Sequence, residues 1–172
     1  ARAGMAWCGT MSFDTAGRTM MRLTSAGMAE MVEKLAHAPL AFCANCGVGA
    51  SDLSRTVLGF RACGSERPVI AKGNGGIPKY HDGHIHYDGT PELMARYAVL
   101  ARDSGATIIG GCCGTTPEHL RAMRAALENT PRSEAPTLEQ ITAELGGFSS
   151  GSDGTDGNAP TRERSSRRRG RD

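Results

Sequence analysis

Four short apolar segments, each followed by a turn and a helix start, constrain the fold of this chain more than any other feature. The segments are residues 5–11, 40–43, 69–72 and 106–109. The helix starts that follow them are Thr24 or Ser25, Ser51, Thr90-Pro91-Glu92 and Thr116-Pro117-Glu118. Threonine and serine are good N-caps, and proline and glutamate suit the first helical turn. Regular alternation of strands and helices predicts an α/β fold with functional residues at the carboxyl ends of parallel strands.

Three cysteines lie at such strand ends. Cys112 and Cys113 follow the fourth segment, and Cys46 follows the second. Neighbouring residues on a regular strand face opposite sides, so both adjacent thiols reach one metal ion only if the surrounding glycines bend the backbone. Three thiolates leave the fourth tetrahedral position of a zinc ion open, and soft sulfur ligands favour zinc over magnesium or calcium. Such a site holds a substrate thiol deprotonated and nucleophilic, so the pattern predicts thiol alkylation.

Several blocks of sequence carry a likeness to a known family. They are residues 11–19, the Ala44-Asn45-Cys46 segment, the Gly-Gly-Cys-Cys-Gly-Thr-Thr-Pro-Glu-His-Leu run at 110–120 and, more weakly, residues 73–78. Together they resemble the homocysteine S-methyltransferases, which include betaine–homocysteine methyltransferase and the homocysteine-binding module of cobalamin-dependent methionine synthase. The resemblance implies a (β/α)₈ TIM barrel, zinc held by Cys46, Cys112 and Cys113, and homocysteine as methyl acceptor.

The length of the chain does not fit a whole barrel. A (β/α)₈ barrel typically needs about 250 residues, whereas this chain has 172 and shows four strand–helix units. The family's opening blocks are absent, including an acidic strand end that would hold the homocysteine amino group. We therefore expect residues 1–148 to be the C-terminal half of the homocysteine-binding barrel domain, and an incomplete enzyme. Four units leave two open sheet edges, so this half alone is expected to aggregate, dimerise or stay molten.

The last part of the chain has a different composition. Residues 149–172 are rich in Ser, Gly, Asp and Arg, and this composition predicts a disordered tail. The tail holds six arginines and four acidic residues, so its net charge of +2 equals that of the whole chain. A solvated extension is favoured over an arm that binds nucleic acid. No signal peptide or membrane segment is visible, and a cytoplasmic protein is predicted.

Other residues have competing interpretations. Asn74 either hydrogen-bonds the amino or carboxylate group of homocysteine or is a turn residue among glycines. Cys43 is favoured as a buried strand thiol, although with Cys46 it also fits a redox or structural zinc motif. A long polar loop at residues 79–88 contains histidines that line the substrate entrance, as we favour, or bind a metal: His81, His84 and His86.

The predicted activity is zinc-dependent transfer of a methyl group to the thiol of homocysteine, giving methionine. Homocysteine and a methyl donor are the expected partners. No catalytic side chain is assigned beyond the zinc site, and His119 is given no catalytic role. Betaine or a related onium donor is favoured because no cobalamin-binding module follows the barrel segment. A methylcobalamin-linked component and a non-catalytic zinc or thiol-redox module are the alternatives. The sequence indicates neither the oligomeric state nor the substrate residues of a missing N-terminal half.

Overall fold

The computed structural model describes residues 4–14, 16–47 and 49–151. Six strands and five helices lie within these residues. In chain order they are β1 (Cys8–Met11), α1 (Ser25–Glu33), β2 (Ala41–Asn45), α2 (Ala50–Ala62), β3 (Val69–Gly73), β4 (Pro78–His81), β5 (His84–Tyr87), α3 (Pro91–Asp103), β6 (Ile108–Gly111), α4 (Pro117–Asn129) and α5 (Leu138–Leu145). The predicted α/β class is confirmed.

Four of the strands form a parallel sheet whose spatial order follows the order of the chain, β1-β2-β3-β6. Cys43 of β2 lies opposite Thr10 of β1 and Ile70 of β3, and Ile70 lies opposite Ile108 of β6. Crossover connections between parallel strands are right-handed, so a sequential order puts every crossover helix on the same face of the sheet. The result is a singly wound β–α arrangement.

The core lies between this sheet and its helices. Phe42 and Val69 are fully buried on the helical face and join Val57 of α2 and Tyr97 of α3 in one apolar cluster. The alternate strand residues face the other way, and Ile108 there is 52% exposed. Within the described residues, the opposite face of the sheet is therefore left partly open.

The observed helix starts agree closely with those predicted from the sequence. The Thr24 side chain accepts a hydrogen bond from the Gly27 amide (2.9 Å), and Thr90 accepts one from the Leu93 amide (3.2 Å). Thr116 precedes α4 as predicted, whereas α2 begins at Ala50, one residue before the predicted Ser51. Sequence reasoning did not place α5. No described helix has the length and apolar character that crossing a membrane requires.

The segment between β3 and α3 is a hairpin rather than the long loop expected from its polarity. β4 and β5 pair antiparallel around Asp82 and Gly83, whose φ angles of 50° and 81° are typical of a type I′ turn. Nearly all its residues are exposed, so no buried apolar run marked the strands in the sequence. Its register puts one set of side chains on a common face: Lys79, His81, His84 and His86.

The chain after α5 returns to α2. Asp52 accepts hydrogen bonds from the Ser149 amide (3.0 Å) and hydroxyl (3.1 Å), and Arg55 donates to the Ser150 carbonyl (3.2 Å). The Arg55 guanidinium also lies 4.2 Å from the centre of the Phe148 ring. The first described residues of the predicted tail are thus tied to α2, and residues 152–172 lie outside the described residues.

Replacing Asp52 by alanine is expected to destabilise the fold strongly. Asp52 and Arg55 form a 2.9 Å ion pair, and both side chains are less than 10% exposed. Removal of the carboxylate leaves a buried guanidinium without its counter-charge, which typically costs about 3–5 kcal/mol. Urea denaturation measures the change in the free energy of unfolding. The control Glu128→Ala breaks an exposed pair with Arg124 and should cost less than about 1 kcal/mol. Equal small losses in both variants would contradict the prediction.

Candidate metal centre

The strand ends bring together the three cysteines singled out in the sequence. The amide of Cys46, just after β2, donates to the Lys72 carbonyl of β3 (3.1 Å). The amide of Cys112, just after β6, donates to the Gly73 carbonyl of the same strand (2.7 Å). Because β3 lies between β2 and β6, these bonds fix both cysteines at one end of the sheet.

The three sulfur atoms form a compact triangle. Cys46 Sγ lies 3.4 Å from Cys113 Sγ and 3.5 Å from Cys112 Sγ, and the sulfurs of Cys112 and Cys113 are 3.9 Å apart. All six cysteines are free thiols, and these separations far exceed the ~2.05 Å of a disulfide. Sulfurs placed tetrahedrally at ~2.3 Å from a zinc ion would be ~3.8 Å apart. The triangle therefore fits a zinc ion.

Adjacent cysteines point into the same triangle because the chain turns sharply after β6. The Thr115 amide donates back to the Cys112 carbonyl (3.3 Å), which closes a turn at residues 112–115. Gly114 in this turn has a φ of 74°, and a Cβ there would overlap the ring of Tyr87. Both the left-handed backbone and the ring above it require glycine at this position. The bend expected from the glycine-rich sequence is confirmed.

Asn74 joins the two loops that carry the cysteines. Its side chain is 2% exposed. The amide nitrogen donates to the Gly47 carbonyl (3.2 Å), next to Cys46, and the amide oxygen accepts from the Cys113 amide (3.2 Å). Both ends of the side chain thus have protein partners, and Asn74 sets the distance between the loops. A contact from Asn74 to substrate stays a prediction.

The pKa values of the clustered cysteines depend on their burial and on their hydrogen-bonding neighbours. Burial raises the pKa of Cys46 to about 11, and the neighbouring sulfurs of Cys113 and Cys112 add to the rise. Burial also acts to raise the pKa of Cys112, but hydrogen-bond interactions with Cys46, with the amide and thiol of Cys113 and with Asn45 outweigh it and lower the pKa. Three thiolates this close repel one another, so full deprotonation requires a bound cation.

The structure does not join the other candidate ligands to this cluster. Among the described residues, Cys46, Cys112 and Cys113 are the group of three or more His, Cys, Asp or Glu side chains close enough to share a metal ion. Cys43 is buried in β2, and its thiol donates to the Ala44 carbonyl (3.5 Å). The hairpin histidines are exposed and do not gather around a common point. The structure thus gives the metal alternative for His81, His84 and His86 no support.

Sequence reasoning missed Tyr87, which ends β5 beside the cysteine turn. Its ring lies over Gly114. Partial burial raises the pKa of the Tyr87 hydroxyl, and the neighbouring Cys113 thiol raises it further. The signal that would have found this residue is the Asp82-Gly83 pair, which favours a two-residue hairpin turn and so places Tyr87 opposite Pro78.

A comparison with known protein families agrees with these features. The family model described as homocysteine S-methyltransferase matches residues 2–127. The match covers most of the chain and includes all three cysteines of the triangle, Asn74 and the hairpin.

Replacement of Asn74 by alanine is expected to loosen the cluster. The Cys113 amide and the Gly47 carbonyl would lose their buried partner, which typically costs about 1–3 kcal/mol of stability. Urea denaturation gives the stability change, and a chelator competition gives the metal affinity, which should also fall. Asn129→Ala is the matched control, since that exposed side chain bonds only its own helix at the Ala125 carbonyl. Loss of stability in the control equal to that in Asn74→Ala would contradict the prediction.

Proposed function

This chain belongs to the homocysteine S-methyltransferase family, and we propose that it binds homocysteine through zinc and takes part in transferring a methyl group to the homocysteine thiol. The product would be methionine. The observation that carries the proposal is the triangle of three free sulfurs, at 3.4–3.9 Å from one another, at the carboxyl ends of β2 and β6. Parallel α/β folds bind substrates at this end of the sheet.

Cys46, Cys112 and Cys113 would hold the zinc ion. Zinc bound in this way would leave one tetrahedral position for the homocysteine sulfur and would keep that sulfur deprotonated near neutral pH, where a free thiol with a pKa of ~8.5 is mostly protonated. The protein's own contribution is positioning. The bonds to β3 fix Cys46 and Cys112, the turn aims Cys113, and Asn74 holds the two loops at a fixed separation.

The strand order of the parallel sheet supports the same proposal. The four parallel strands follow chain order, as the strands of a (β/α)₈ barrel do. Among the described residues, β1 and β6 each have a sheet neighbour on one side only, and the face bearing Ile70 and Ile108 is partly open. We propose that the domain expected at residues 1–148 contributes four of the eight units of such a barrel, with this face toward the barrel interior.

Betaine or a related onium compound stays the proposed methyl donor. In that reaction the homocysteine thiolate forms the new carbon–sulfur bond while the bond from the methyl group to the onium atom breaks. The bonding electrons stay with the former onium atom, which leaves uncharged as an amine nitrogen or a sulfide sulfur. Such a donor therefore requires no residue that protonates the leaving group. A donor that carries its methyl group on cobalamin is the alternative.

The first test concerns the metal. A protein that contains the whole barrel is expected to bind one zinc ion per active site, and Cys46→Ser, Cys112→Ser and Cys113→Ser should each weaken retention on dialysis against a chelator. Thiolate is a much better zinc ligand than a serine hydroxyl at neutral pH. Elemental analysis gives the zinc content. The control Cys43→Ser should retain the metal, because that thiol lies outside the triangle. Undiminished zinc in Cys112→Ser or Cys113→Ser would refute the assignment.

The second test concerns the substrate. Homocysteine is expected to raise the number of sulfur atoms around zinc from three to four and to release a proton on binding. Homoserine should bind far more weakly, because its alcohol is a poor soft ligand with a proton that is hard to remove. X-ray absorption with each compound counts the sulfur neighbours. Four sulfurs before substrate is added, or an unchanged count afterwards, would favour a structural zinc site.

A further inference from the structure

A closed circuit of hydrogen bonds links the cysteine turn to the base of the β4–β5 hairpin. The Cys113 carbonyl accepts from the Gly75 amide (2.8 Å), and the Gly75 carbonyl accepts from the Gly89 amide (2.9 Å). The Gly89 carbonyl lies 2.9 Å from Nε2 of His119, and Nδ1 of the same ring accepts from the Thr116 amide (3.1 Å). Thr116 is three residues beyond Cys113, so the circuit encloses the turn.

The partners of His119 fix its tautomer. Nδ1 accepts from the Thr116 amide and lies 2.8 Å from the Thr116 hydroxyl, so Nδ1 carries no proton in the neutral ring. Nε2 must then carry the proton and donates it to the Gly89 carbonyl. The residue is 8% exposed. Both ring nitrogens are therefore used, one toward the helix that follows the cysteines and one toward the chain that leaves the hairpin.

A helix cap does not require this second bond. At the start of α5, Gln140 accepts from the Thr137 amide (2.8 Å) while the Thr137 hydroxyl accepts from the Gln140 amide (3.2 Å). That capping box works with a single acceptor group at the third helical position. His119 occupies the corresponding position of α4 and supplies the same acceptor. Its donor at Nε2 is an addition, and it reaches a different segment of the chain.

We propose that His119 is a positioning residue of the metal centre that holds the base of the β4–β5 hairpin against the cysteine turn. The inference rests on the proposed zinc site. Through the Gly89 bond, His119 keeps the Tyr87 ring over Gly114, which follows Cys113 in the turn. Loss of the bond leaves the Gly89–Gly75 bond in place but loosens the hairpin base and the turn that carries Cys113. Substitution of a residue that orients metal ligands in this indirect way commonly lowers metal affinity by about 10–100-fold.

Variants at the two capping boxes separate the effect of the hydrogen bond to Gly89 from the effect of the helix cap. His119→Gln restores at α4 the acceptor found at α5 and removes the bond to Gly89, whereas His119→Ala removes both. Gln140→Ala is the matched control, because it removes a helix cap whose side chain makes no bond corresponding to the one from His119 to Gly89. Each full-length protein is titrated with Co²⁺ against a competing chelator, and the thiolate-to-cobalt absorption bands report the ligand set. Thermal unfolding and amide exchange across residues 75–89 are measured on the same samples.

His119→Gln is expected to keep the thermal midpoint, to lower Co²⁺ affinity about tenfold and to speed exchange at the hairpin base. Gln140→Ala should lower the midpoint and leave Co²⁺ affinity and hairpin exchange unchanged. Unchanged Co²⁺ affinity, absorption bands and exchange in His119→Gln would overturn the proposal and leave His119 as a helix cap. A wild-type protein without thiolate-to-cobalt bands would instead overturn the zinc site on which the proposal depends.

Discussion

The position of β3 between β2 and β6 is the constraint on which the rest of this structure depends. The cysteines are 66 and 67 residues apart in sequence, and β3 brings them together with two backbone hydrogen bonds that continue its ladders by one residue. A shift of either neighbour by a single residue would turn the side chain at the strand end to the other face. Burial secures the register against such a shift, since a one-residue shift would turn Phe42 or Val69 away from the helices.

The candidate metal centre is therefore assembled by groups that are themselves buried or hydrogen-bonded. Asn74 is nearly inaccessible, and both ends of its amide bond the backbone of the cysteine loops. Such a polar side chain stabilises the fold only if its partners remain in place, because an unpaired buried amide is unfavourable. The loops and the side chain thus fix one another. This mutual dependence brings three thiols close together despite the repulsion that their charged forms would experience.

The sequence indicated the repeated units and the ligands more readily than the contacts between loops. Apolar runs mark β2 and β3 because both are buried, and Thr24, Thr90 and Thr116 mark helix starts because capping is a local interaction. The sequence did not predict the hairpin, because its strands are exposed on both faces. Only the Asp82-Gly83 turn identifies it. The roles of Asn74 and His119 depend on residues 27–39 positions away in the chain, and no local pattern reports such contacts.

Exposure differs around the sulfur triangle and suggests the side from which a substrate thiol would arrive. Cys46 and Cys112 are half-buried against the strand ends, whereas Cys113 is exposed. Within the described part of the chain, the triangle has no fourth His, Cys, Asp or Glu ligand near it. A closed structural site would bring such a ligand from the protein, while a catalytic site keeps that position for substrate. Tyr87 stands beside Cys113 on a hairpin that is otherwise exposed. The hairpin therefore borders the exposed side of the sulfur triangle, and the bonds at its base help to determine where Tyr87 lies.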